Sequence, residues 1–276
     1  MDRYENRFFT VFKYASLILA TIVVLFPIYS VFVGAFKTRE EYYDSGLGLP
    51  DSFLNFDNFA RVFEVGRLDV GFMNIITILL VAVCGNILLG SMVAYAVGRF
   101  EFKLKNSIVG LFLIGQLIPT ITTQVALFSV VKGLMLYNKL AVAMVLYMGA
   151  DVLQIIIYLQ FVKSIPKDLD ESAMIEGASL FKIYRSIIFP MLAPATATLV
   201  ILKTISIYND FTVPFLFMQA EKLQVVSTAI SAFVGPNAAQ LNLISAAIMV
   251  IFIPTVVIFL VLQRFIFAGV TNGAVK

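Results

Sequence analysis

The sequence predicts an all-α integral membrane protein of six transmembrane helices with both termini in the cytoplasm. Three observations predict it. Sixty per cent of the 276 residues are apolar and 13% are charged, about half the charged share of an ordinary soluble domain, and mean hydropathy is +0.94. Such a composition cannot clothe a water-soluble surface without large exposed apolar patches. Six apolar runs then reach the roughly 20 residues that a helix needs to cross the hydrocarbon core. Finally, Lys and Arg are distributed unevenly among the connections.

The runs cover residues 14–36, 72–98, 108–131, 140–161, 184–207 and 241–267. Pro27 interrupts the first, which is too long for a signal-peptide core, has no small-residue cleavage site after it and is expected to be retained. With six spans, the termini and the loops after spans two and four share one side. That side carries twelve cations, among them Arg3, Arg7, Arg99, Lys103, Lys105 and Lys167, against eight opposite. Four of those eight lie in the long loop 37–71, diluted by seven acids from Glu40 to Asp69. The positive-inside rule therefore puts both termini in the cytoplasm. In the outer loop 37–71, Phe56, Phe59 and Phe63 recur at helical spacing and predict a short amphipathic helix on the outer face. The second outer loop, 208–240, contains Asn209-Asp210, Pro214 and Gly235-Pro236-Asn237, which reads as a hairpin or re-entrant excursion. An ordinary solvated connector fits either loop equally well.

The absences narrow the chemistry. The chain has no His, so a histidine metal site, a Ser–His–Asp triad and a histidine proton switch are excluded. Its one Cys, Cys84, can form neither an intrachain disulfide nor a thiolate cluster. No metal site is expected. No G-x-x-x-x-G-K-[ST] pattern occurs, so the chain lacks a P-loop to cradle nucleotide phosphates.

One cytoplasmic segment, residues 164–183, stands apart from the spans. Pro166 ends the fourth run, and Asp168 followed by Glu171 fits a capping box that would start a helix. Leu169, Ala173, Gly177 and Leu180 then form a smooth apolar stripe, and Phe181 closes it with a bulky knob. Asp168, Asp170, Glu171 and Glu176 crowd the first half, where the helix dipole favours acids. Small residues at Ala173, Gly177 and Ala178 would let another backbone approach. A helix lying on the inner leaflet is the bland alternative, but anionic lipid favours Lys and Arg, not acids. The stripe needs something else to dock against.

Glu171, Ala173, Gly177, Ile187 and Pro190 fall on the pattern E-A-A-x-x-x-G-x9-I-x-L-P. Ser172 stands for the middle Ala, Phe189 for the Leu, and Glu176 where Asp is common. The segment therefore resembles the coupling helix in permease subunits of binding-protein-dependent ABC importers. Asn74 at the head of span two, the Arg99-Phe-Glu-Phe-Lys loop, Ile118-Pro119, Asn209-Asp210-Phe211 and the tail from Gly269 extend the likeness along the whole chain. Together they are similar to the carbohydrate-uptake, MalG-like branch for maltose and oligosaccharides. The resemblance implies a type I ABC importer permease fold and a non-catalytic subunit in a bacterial or archaeal cell membrane. It implies docking to a cytoplasmic ATPase dimer through Leu169, Glu171, Ser172, Ala173, Glu176, Gly177, Ala178, Leu180 and Phe181. A second ATPase contact is implied at Gly273, Ala274 and Val275. The further partners implied are a second permease subunit, an extracellular or periplasmic solute-binding protein meeting residues 220–240, and a sugar substrate. This chain itself would bind no cofactor, ATP and Mg residing on the ATPase. Closure of the ATPase dimer would pull the 169–181 helix inward and rock spans three to six.

Within the spans, Asp151 and Gln154 lie one turn apart on one face of span four. With Gln116 in span three and Asn209 after span five, they are the candidate pathway residues. Asp151 could instead sit at a helix end or pair with a neighbour, and Lys203 could snorkel to the outer interface. Gln116, Thr120, Thr123 and Gln124 flank Pro119, where they suit either a polar pathway or a self-satisfied kink. Asn86, Gly90, Ala94 and Gly98 make a small-xxx-small ladder for close helix packing, within the subunit or against another. A secondary transporter working through Asp151 is the alternative function, although ion coupling usually draws on several polar groups at midplane. An intramembrane enzyme has still less support, lacking His and paired carboxylates.

Overall fold

A computed structural model describes the backbone of residues 2–234 and 240–274, with side chains described apart from residues 2–6, 8, 120 and 261–274. The described chain is helical throughout. In order the helices are α1 (Asp2–Ala35), α2 (Arg39–Ser45), α3 (Asp57–Gly66), α4 (Leu68–Arg99), α5 (Lys105–Leu117), α6 (Thr120–Gly133), α7 (Leu140–Met148) and α8 (Val152–Ser164). There follow α9 (Asp168–Ile175), α10 (Leu180–Ile183), a π turn (Tyr184–Ile188), α11 (Phe189–Met191), α12 (Ala193–Asn209), α13 (Thr212–Phe217), α14 (Val226–Ala229) and α15 (Leu241–Ala274), with 3-10 turns at Glu221–Leu223 and Ile230–Phe233.

Among the described residues, three stretches are long and apolar enough to cross a membrane unaided: Phe9–Ala35, Leu68–Arg99 and Leu241–Leu260. Three bent pairs bring the number to six if each pair is one span. Each bend has a local cause. The α5–α6 pair turns by 112° at Pro119, which lacks an amide donor and holds Ile118 extended at φ −81°, ψ 119°. The α7–α8 pair turns by 42° where Gly149 and Asp151 leave helical geometry. The Leu180–Met191 and Ala193–Asn209 pair turns by 75° between Pro190 and Pro194, preceded by the π turn. Pro27, expected to interrupt the first span, instead lies inside an unbroken helix.

The chain divides into two compact units, residues 1–69 with 229–254, and 70–228 with 255–276. The first is knit by buried polar groups. Asn58 donates to the carbonyls of Ala35 (2.9 Å) and Lys37 (2.7 Å) and accepts from the amide of Asn242 (2.9 Å). Lys37 is fully buried, its ammonium donating to Ser45 Oγ (2.8 Å) and to the Gly46 carbonyl (2.7 Å) just past the end of α2. A cation is favoured at that end of a helix. The long loop does contain a short amphipathic helix, α3, which buries Asn58, Val62 and Gly66. Phe56 and Phe63 are exposed, and Phe32, Phe36, Phe53, Phe56 and Phe59 form a cluster of stacked, tilted and edge-to-face rings. Hydrogen-bonding demand sets the face that turns inward: Asn58 meets the carbonyls left unpaired at and just past the end of α1.

The second unit is organised around α4. A Cβ on Gly90 would collide with the amide of Gln154, and one on Gly98 would lie 2.6 Å from Val162 Cγ1. The small-residue ladder therefore seats α8 against α4 within the subunit. Asn74, nearly two turns into α4, donates to the carbonyls of Lys222 (2.9 Å) and Gln224 (2.8 Å). Residues 210–228 fold as short helices pinned to α4, while Gly235-Pro236-Asn237, on which the hairpin or re-entrant reading partly rests, lie outside the described residues.

Candidate functional site

Two features of the second unit gather functional side chains: segment 164–183 and a polar cavity at the break between α7 and α8.

The segment is built of two short helices, not one. Asp168 does not cap α9: the N-cap is Lys167, already helical at φ −68° and with no side-chain bond, so the expected capping box does not form. Pro166 directs the chain into the helix one residue early, leaving Asp168, Asp170 and Glu171 in the first turn, where the dipole still favours them. The helix stops at Gly177, whose φ is +81°. Gly177 donates to the Met174 carbonyl (3.0 Å) and Ala178 to that of Ala173 (2.9 Å), the paired bonds of a Schellman motif. A Cβ on Gly177 would meet nothing within 4 Å, so backbone handedness and not close packing requires the glycine. Ser179 then caps α10 by accepting from Lys182 N. The expected continuous stripe is thus bent between Ala173 and Leu180.

Leu169, Glu171, Ser172, Glu176, Gly177, Leu180 and Phe181 are exposed, and Ala173 and Ala178 half-buried. The most exposed apolar side chain is Ile175, at 88%, followed by Phe181 at 61%. Ile175 and Met174 were missed because neither falls on the stripe. Among the described residues, nothing covers this apolar face of an acidic helix.

Asp170 is the exception among the acids, being buried. Its Oδ2 lies 2.8 Å from Arg99 Nε, both side chains being largely shielded from solvent. Burial pushes its carboxyl above the ordinary value; Arg99 pulls it back down and Glu171 raises it. We attribute the net rise to desolvation outweighing the ion pair. Arg99 also donates through Nη1 to the Ile165 carbonyl (2.9 Å) and through Nη2 to that of Pro166 (3.5 Å). Sequence spacing carries no signal for a contact between residues 71 positions apart.

At the second feature Asp151 caps α8, its Oδ1 accepting from Gln154 N (2.9 Å). Its Oδ2 lies 3.3 Å from Lys203 Nζ on α12. Lys203 therefore turns to a carboxylate rather than only to the interface. Gln154, 1% exposed, donates to the carbonyl (2.8 Å) and side-chain oxygen (2.9 Å) of Asn86, and Asn86 donates to the Gly149 carbonyl (2.6 Å). Asn86, Gln116, Asp151, Gln154, Lys203 and Ser206 line a cavity of about 710 Å³. Three of the four candidate pathway residues meet here. Asn209 does not: it is exposed at the end of α12 and lies outside the lining. Its neighbour Asp210 is the busier group, accepting from the Tyr147 hydroxyl (2.8 Å) and from Thr212 N (2.7 Å).

Of the C-terminal residues, Gly273 and Ala274 lie within α15, their side chains undescribed, and Val275 lies outside the described residues.

Residues 86–272 match the family model described as "Binding-protein-dependent transport system inner membrane component". The chain is 34% identical over 264 residues to the melibiose/raffinose/stachyose import permease protein MelC of Bacillus subtilis (strain 168), covering 94% of this chain and 95% of the relative. It is 31% identical to AmyC of Thermoanaerobacterium thermosulfurigenes, a probable starch degradation products transport system permease protein, covering 94% of each. The fold is that of a chain in the crystal structure of a bacterial ABC transporter involved in the import of the acidic polysaccharide alginate, with TM-score 0.82, 18% identity, and 94% and 97% of the two chains covered.

Proposed function

The chain belongs to the family of binding-protein-dependent transport system inner membrane components, and from that premise we propose that it translocates an oligosaccharide for an ATP-driven importer. In this reading the chain is one of two permease subunits. It receives sugar from a solute-binding protein outside the cell and borrows its energy from a cytoplasmic ATPase dimer, which holds the ATP and Mg. The observation that carries the reading is the segment that bears the matching motif, with Leu169 and Ile175 on the acidic helix α9 and Phe181 on α10 uncovered. Apolar side chains so exposed beside water need a partner surface. The carbohydrate substrate is supported by the relatives named for saccharide import.

Mechanistically, the ATPase draws the α9–α10 segment inward as it closes, and the spans joined to that segment tilt so that the cavity opens outward. Hydrolysis reverses the tilt. Gly273, Ala274 and Val275 supply a second ATPase contact, and residues 220–240 meet the binding protein. Asp151, Gln154 and Gln116 offer hydroxyl-compatible donors and acceptors along the path. The alternative, a secondary transporter working through Asp151, is less well served by a carboxylate already occupied by a helix cap and by Lys203.

The test is co-purification with the cognate ATPase, paired with uptake of labelled raffinose, stachyose and maltooligosaccharides by a deletion strain carrying each variant. Glu171→Lys and Gly177→Asp are expected to release the ATPase and abolish uptake. Full assembly and full uptake in both variants would remove the docking reading.

A further inference from the structure

We propose that one face of α4 clamps both ends of the docking segment, and that Arg99 is the positioning residue that makes α4 move with it as one body. The proposal rests on the reading of segment 164–183 as the ATPase-docking element. Ser91, Tyr95 and Arg99 stand four residues apart along α4 and therefore share one face. At its cytoplasmic end Arg99 holds the entry to the segment: the Ile165 and Pro166 carbonyls that close α8, and Asp170 in the first turn of α9. One turn back, Tyr95 packs its ring against that of Tyr184 at 5.6 Å. One turn further, Ser91 Oγ accepts from the Tyr184 hydroxyl at 2.7 Å while donating to the Ile87 carbonyl. Tyr184 begins the π turn by which the segment leaves. Entry and exit thus rest on a single helix face.

The chemistry of Arg99 suits a rigid joint. Its guanidinium stays charged and presents its donors in a fixed planar fork. Here that fork lies between the carbonyl end of α8, whose partial charge is negative, and the carboxylate of Asp170 in the first turn of α9. It neutralises both and fixes the angle between them. A pull on Leu169, Ile175 or Phe181 cannot swing α9 away from α4 without separating an ion pair shielded from water, and such pairs resist separation because each charge would be left uncompensated. Gly98, seated on Val162, keeps the same end of α4 in contact with α8. Movement imposed on the segment therefore enters the membrane through the second span directly, in addition to the spans that follow the segment in sequence.

The experiment uses the complete transporter, with its ATPase, second permease and binding protein, reconstituted in vesicles, and reads oligosaccharide delivered per ATP hydrolysed. Arg99→Gln and Asp170→Asn are expected to leave the ATPase bound and hydrolysing, while delivery per ATP falls at least about fivefold, the lower end of a typical coupling between distant sites. Arg99→Lys, with the charge but not the fork, falls between. A second measurement replaces Arg99 and Asp170 by cysteines in a Cys84→Ser background and joins them with a short bis-methanethiosulfonate cross-linker, each thiol forming a disulfide and displacing a sulfinate; linking is expected to restore delivery per ATP. An unchanged ratio in the single variants, a loss of uptake and hydrolysis in equal proportion, or no recovery on linking would each overturn the clamp. Failure of the docking reading registers separately, as Arg99→Gln complexes that behave normally alongside Glu171→Lys complexes that also retain the ATPase.

Discussion

Gly177 shows how a motif position can be conspicuous for one reason and required for another. As part of an apolar stripe it looked like a site of close backbone approach, yet space around it is open and its φ is +81°. An L-residue with a Cβ pays roughly 1–2 kcal/mol to hold the left-handed conformation, and Asn is the side chain that tolerates it best. Gly177→Ala is therefore expected to weaken the α9 terminus by about that amount, while Gly177→Asn retains most of it. Hydrogen exchange at the Ala178 amide, which donates to Ala173, checks the ordering: protection should fall in the Ala variant and largely survive in the Asn variant. Equal protection in glycine and alanine proteins would show that the turn is not held by handedness.

Helix ends carried the information that periodicity did not. The expected box at Asp168 does not form, whereas one is complete at α2: Thr38 Oγ1 accepts from Glu41 N, and the Glu41 carboxylate accepts from Thr38 N. The other carboxylate oxygen of Glu41 accepts from Asp51 N (2.9 Å), so one acid closes the loop 38–51. These backbone bonds lower the Glu41 carboxyl below its ordinary value. Because the folded value is the depressed one, the cap stabilises α2 above the ordinary glutamate range, near 4.5, and is lost as pH falls through the depressed value. Protection of the Thr38 and Asp51 amides should decline together on acidification, and Glu41→Gln should abolish that pH dependence. A decline that persists in Glu41→Gln would assign it to another acid. The apolar runs and the family motif of segment 164–183 were legible because hydropathy and motif spacing are properties of contiguous sequence. The bends at Pro119 and between Pro190 and Pro194 were only half legible, since Pro27 and Pro254 sit within continuous helices. Proline removes a donor at all four places, and neighbouring structure decides whether the helix tolerates the loss. The Arg99–Asp170 and Asp151–Lys203 pairs were hidden because each joins residues far apart in sequence.

At the scale of the molecule, the polar groups lining the second unit's cavity of about 710 Å³ form a neutral set: one carboxylate, one ammonium, three amides and a hydroxyl. A purely structural brace and a sugar-reading lining make different demands on that set. A brace needs the pair to be compensated; a lining needs its donors and acceptors where sugar hydroxyls pass. Removing one charge, in Asp151→Asn or Lys203→Met, leaves the other unpaired. The cost should fall well short of the roughly 3–5 kcal/mol of a fully buried pair, because the Asp151 side chain is 43% exposed and water screens it. The double variant Asp151→Asn/Lys203→Gln removes both charges while keeping hydrogen-bonding groups at both positions. Its thermal stability should recover toward wild type. Its KM for oligosaccharide uptake should stay raised, because an ammonium and a carboxylate form stronger hydrogen bonds to hydroxyls than the amides that replace them. Thermal unfolding and uptake kinetics on the same preparations separate the two roles. Recovery of stability together with a normal KM would reduce the pair to a brace between α8 and α12 and move the sugar path elsewhere.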